Sequence, residues 1–131
     1  MITDHHQLLR LQSWLSPCFP IGSFSYSHGL EYAVEARLVH DRFTLIDWLD
    51  ADLRHGSGRN EAIILVAALN AEGDEFREIV ELASASFSTQ ELALESLSQG
   101  RAFLQMVQKA WPHEELNRLP GPPTLAIALA I

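Results

Sequence analysis

Three residues near the start of the chain have the types a covalent catalyst needs. Cys18 supplies a thiol, His28 a base, and Glu31 an acid that could orient the base. His28 and Glu31 stand three apart, so on a helix they share one face. Cys18, however, is flanked by Pro17 and Pro20, with no clear helix N-terminus beside it to favour a thiolate. No glycine cluster offers an oxyanion hole, and Gly22-Ser23-Phe24-Ser25 is not a nucleophile elbow. Metal chemistry fares no better. Of the six histidines, His5 and His6 are adjacent and point to different helix faces, and there is neither an H-E-x-x-H pattern nor a cysteine pair. Gly56-Ser57-Gly58 lacks the lysine of a phosphate loop and reads as a helix stop, with His55 at the negative end of the dipole. These residues therefore assign no catalytic group, no metal site and no cofactor. A hydrolase built on Cys18 and His28, and weak binding of a divalent ion through imidazole, stand as alternatives.

Hydrophobic period identifies the elements that must position these groups. Leu45, Trp48, Leu49 and Leu53 recur at helical spacing, as do Phe76, Ile79, Val80, Ala83 and Phe87. Ala93, Leu97, Gly100, Leu104, Val107 and Trp111 form a third stripe. No segment alternates as a strand flanked by hairpin turns does. The pattern predicts an all-α, single-domain bundle of about six helices, near 4–15, 25–37, 44–55, 59–72, 74–86 and 88–111. Breaks are expected at 16–22, 55–58 and 112–123. Thr44 with Asp47, and Ser88 with Glu91, have capping-box spacing. The run from Ala62 to Leu69 is apolar all round, which predicts a helix enclosed by others. Gly100 costs about 1 kcal/mol mid-helix relative to alanine, so a close helix crossing is expected there. Pro120 to Thr124 reads as a loop into a helix start. The apolar run Leu125–Ile131 then predicts either a truncated domain or a segment buried by a partner.

Composition excludes several function classes. The chain has 131 residues, 17 acidic against 9 basic, and a net charge of −8. With one lysine, Lys109, and scattered arginines it lacks the basic surface that replaces phosphate counterions, so no nucleic-acid partner is expected. The longest apolar runs are too short to span a bilayer, which needs about 20 residues. The start, Met1-Ile2-Thr3-Asp4-His5-His6, has no signal-peptide pattern, and a single cysteine fits a reducing cytoplasm.

The most unusual stretch is the elbow from Ser16 to Glu31. Pro17 and Pro20 forbid helix interior, Gly22 permits a tight bend, and Phe19, Ile21, Phe24 and Tyr26 give it more apolar surface than a connector needs. It is either a rigid connection that plugs the core or a preformed binding surface. In sequence it resembles the signature of the urease accessory protein UreF family. The matching residues are Leu8-Leu9 with Leu11, Ser16-Pro17, Pro20-Ile21-Gly22, Phe24, Tyr26-Ser27, Gly29-Leu30-Glu31 and Ala33-Val34. Glu95-Ser96, Gln99-Gly100 and Arg101 resemble a second, looser family element. Pro122-Pro123-Thr124 departs from the family, which tends to carry a His-Pro step there.

The resemblance runs across the whole chain but covers only the N-terminal part of the family. It implies an all-helical, non-catalytic assembly factor of the cytoplasm that tends to form homodimers. Proteins of this kind act in nickel insertion into apo-urease, bridging the urease-contacting accessory protein UreD (also called UreH) and the nickel-carrying GTPase UreG. On this reading Phe24, Tyr26, His28 and Glu31 are the partner-binding residues, and a direct nickel carrier is the remaining alternative within the resemblance.

Overall fold

A computed structural model describes residues 4–117, 119 and 121–131. Pro120 of the expected loop, and Met1, Ile2 and Thr3 at the start of the sequence, lie outside the described residues. The described chain forms seven α-helices and no strand. They are α1 (His5–Trp14), α2 (Leu30–Glu35), α3 (Arg42–His55), α4 (Ser57–Asn70), α5 (Gly73–Ala85), α6 (Gln90–Ala110) and α7 (Leu125–Ala130), with short 3-10 turns at Ser23–Ser25 and Glu114–Asn117.

The short last helix is the centre of the core. Ile127 is 0% exposed, and Ala126 and Ala128 are buried beside it. One face of α7 joins Ile64 and Ala68 of α4 and Ala83 of α5, with Phe76, Ile79 and Val80 packed around them. The opposite face, through Ala128, joins Phe103 and Val107 of α6, with Trp14, Phe19 and Ile21 against them. Within the apolar run 125–131, Ala126, Ile127 and Ala128 are thus buried by this chain's own helices and the other four residues are half-buried against them.

Gly100 explains how α7 gets so close. A Cβ there would run into the Pro123 carbonyl oxygen and would lie 2.7 Å from the Thr124 carbonyl carbon and 2.8 Å from its oxygen. The close crossing expected at this glycine is present, and its neighbour is the backbone that leads into α7. The first amides of α7 are met by side-chain hydroxyls. The Thr124 hydroxyl accepts from the Ile127 N–H at 3.5 Å, and the Ser96 hydroxyl accepts from the Leu125 N–H at 3.0 Å.

Several local expectations need correction. The helix expected over 25–37 is only the six residues of α2, because Gly29 before it adopts φ 80° and His28 φ 48°, both left-handed. The cap of α3 is Asp41, not Thr44. Asp41 accepts from the Thr44 N–H at 2.8 Å, and the Thr44 hydroxyl sits 3.1 Å from the Asp41 N–H, so Thr44 is the returning partner of the box. At α6 the cap is Thr89, one residue past Ser88, and it accepts from Leu92 N–H. Ser57 and Gly58 do not break the chain but form the first turn of α4, and Gly56 alone separates α3 from α4. Nor is α4 enclosed. Ile64 and Ala68 face the core, while Ile63, Val66 and Leu69 are exposed. Ile63 and Val66 border an open groove of about 690 Å³ shared with Leu53 and Ile79.

Two predictions follow from this packing. Gly100→Ala should destabilise the chain by about 2–3 kcal/mol in urea denaturation, because overpacking against backbone outweighs the better helix propensity of alanine. The second concerns Asp41, whose carboxyl is held below its ordinary value by the backbone and side-chain hydrogen bonds of Thr44. A depressed folded-state pKa adds stability above the unfolded value, and that stability is lost as pH falls through the folded one. The gap in melting temperature between the native chain and Asp41→Ala should therefore be full at neutral pH and close in the acid range below the ordinary carboxylate value.

Candidate functional site

The elbow between α1 and α2 is built half inward and half outward. The Phe19 ring lies 5.3 Å from that of Phe103 on α6, and the Trp14 indole meets Phe103 edge-on at 5.8 Å. Ile21 packs on the same cluster. Pro17 and Pro20 stiffen the backbone between these anchors. Local bonds close the turn, with Phe19 N–H donating to the Ser16 carbonyl at 2.9 Å and Cys18 N–H to the Ser16 hydroxyl at 3.2 Å. Gly22, at φ 80°, then swings the chain outward into the Ser23–Ser25 turn.

Beyond that bend the apolar side chains leave the core. Phe24 is 92% exposed and Tyr26 45% exposed. At the far end His28 turns back to the body. Its Nε2–H donates to Glu95 Oε1 of α6 at 2.8 Å, and Gln99 Nε2 donates to the same oxygen at 2.9 Å. One residue along α6, the Ser96 hydroxyl donates to Glu61 of α4 at 2.9 Å. A cleft of about 590 Å³ opens next to His28, with Asp52, His55, Glu61 and Glu91 on its walls. Its acidic lining suits a basic side chain of a partner.

The structure brings Phe24, Tyr26 and His28 onto one short segment, and Glu31 follows on the exposed first turn of α2. It does not put His28 and Glu31 on one helix face as expected. His28 precedes α2 in a left-handed conformation, and the acid it meets is Glu95, 67 residues away. Cys18 is exposed on the opposite limb of the elbow. Among the described residues no group of three or more His, Cys, Asp or Glu is placed to hold a metal ion. No helix of the described chain is long and apolar enough to cross a membrane. Glu95 and Gln99 were not among the expected site residues. The signal for them was their place in the looser second element, together with polar side chains on the inner side of an amphipathic helix.

Fold and site together define an all-α protein whose most distinctive surface is a braced aromatic loop. The UreF family profile matches residues 39–131, and the chain belongs to the UreF family. Among its relatives, the "Urease accessory protein UreF" of Magnetococcus marinus is 47% identical over 115 residues, covering 85% of this chain and 50% of that protein. The protein of the same name from Bradyrhizobium diazoefficiens is 49% identical over 116 residues, 86% of this chain and 48% of its own length. "Urease accessory protein UreF 1" of Brucella canis is 46% identical over 126 residues, covering 95% of this chain and 54% of that protein. The 95% share leaves too few residues outside for the elbow to be omitted, although the family profile begins after it. The chain spans about half the length of the curated relatives it matches. No solved structure matches it.

Proposed function

We propose that this chain acts as a non-catalytic scaffold in the maturation of urease. It docks through the elbow onto the urease-contacting accessory protein UreD (UreH) and bridges it to the nickel-carrying GTPase UreG, whose activity it modulates, while apo-urease receives its nickel. The relatives' name, urease accessory protein UreF, supports this reading. The observation that carries the docking role is Phe24, which is nearly fully exposed on a loop held to the core at both limbs. Phe24 is the most exposed of the large apolar side chains among the described residues, aromatic side chains make strong interface anchors, and a rigid loop loses little entropy on docking. On this reading Phe24 and Tyr26 anchor in the partner, with the exposed edge of His28 and the Glu31 carboxylate beside them. The protein works in the cytoplasm as a homodimer. Nickel is cargo passing through the assembly, with no resident cofactor on this chain.

The test compares Phe24→Ala and Tyr26→Ala with the native chain. Each should weaken binding to UreD at least tenfold, about 1.4 kcal/mol, and Phe24→Ala should leave the melting temperature within a degree or two because its side chain touches solvent. Cys18→Ala should leave urease activation in cells intact. Loss of activation in that variant, with the fold preserved, would favour thiol chemistry instead, and native binding in both aromatic variants would remove the elbow from the interface.

A further inference from the structure

A single stretch of α6 secures two separate parts of the chain. Ser96 and Gly100 receive the backbone that enters α7, through the Leu125 N–H and the close approach of Pro123 and Thr124. Glu95 and Gln99, on the same stretch, receive the elbow through His28. Glu95 is only 8% exposed, and a buried carboxylate requires donors because water cannot supply them. Gln99 gives one from the same helix, four residues on, wherever the elbow lies. The second, from His28, exists only when the elbow is closed against α6.

The elbow has a matching need. His28 sits at φ 48° and Gly29 at φ 80°. A non-glycine residue in that region is held there by its surroundings. Between Ile21, which packs on the core, and His28, the residues Ser23, Phe24, Ser25 and Tyr26 are all exposed. The presenting segment is therefore suspended between an apolar anchor at one limb and a charge-assisted hydrogen bond at the other.

We propose that Glu95 is a positioning residue for docking. Through His28 it sets the geometry in which Phe24 and Tyr26 are offered, and Ser96 and Gly100 reference that geometry to the packing of α7. This rests on the docking role proposed above. Glu95 itself touches no partner.

Hydrogen exchange on the full chain, paired with binding to UreD, tests the proposal. In His28→Ala the amides of residues 22–29 should exchange about tenfold faster while protection in α6 and α7 is unaltered. Affinity for UreD should fall about tenfold with Phe24 and Tyr26 intact. His28→Gln, whose amide can still donate to Glu95, should restore most of both effects, whereas loss of packing alone would not be rescued. Glu95→Ala should reproduce His28→Ala at the elbow. His28 is half exposed, so its variant keeps the fold even if that of Glu95 does not. Unchanged exchange at 22–29 in His28→Ala overturns the proposal whatever the affinity. Faster exchange with native affinity also overturns it, and Phe24→Ala then separates the causes. If that variant still weakens binding, the docking role stands and only the positioning role falls. If it too binds normally, the docking role has failed first.

Discussion

The arrangement depends on one close approach, the backbone of Pro123 and Thr124 lying against Gly100 of α6. A side chain at that position would push α7 outward. The two apolar clusters of the core lie on opposite faces of α7, one against α4 and α5 and the other against α6, so displacing it would loosen both. The polar contacts at the same level are tied to this crossing. Ser96 links the start of α7 to Glu61 of α4, and Thr124, itself buried, caps the first turn. Close packing of this kind has little tolerance for volume change. It explains why a helix-disfavouring glycine occupies the middle of the longest helix.

The elbow derives its rigidity from the same helix. Phe103 of α6 supports Trp14 and Phe19 at one limb, and Glu95 receives His28 at the other. The sequence left two roles open for this stretch, a core plug and a binding surface, and the structure shows the first for its inner half and leaves the outer half in solvent. Phe19 and Ile21 plug the core, while Phe24 and Tyr26 face outward. Burying one such exposed side chain is worth about 1.5–3 kcal/mol, and a preformed loop passes most of that into affinity.

Much of the fold was legible because helical period is a local property. The stripes of α3, α5 and α6 placed those helices to within a few residues, and Gly100 announced its crossing because glycine mid-helix demands a reason. The failures have physical causes too. Asp41 lies three residues before the expected cap Thr44 and Thr89 one past Ser88, and which residue turns extended is decided by backbone geometry that spacing does not encode. The helix expected over 25–37 shrank because Gly29 takes the left-handed conformation that only the folded loop reveals. The apolar run of α4 implied enclosure, yet the described helices cover one side of it only. At the site, His28 was paired with its neighbour Glu31 because periodicity sees only near neighbours. Its true acid, Glu95, lies 67 residues on and is brought there by tertiary packing.

The central claim is that the outward half of the elbow is where this protein meets its partner. Footprinting the complex with UreD by amide hydrogen exchange measures this directly. The account predicts new protection concentrated at residues 22–31 and the neighbouring acidic cleft. Protection confined to the open groove between α3, α4 and α5, with the elbow exchanging as in the free chain, would contradict it.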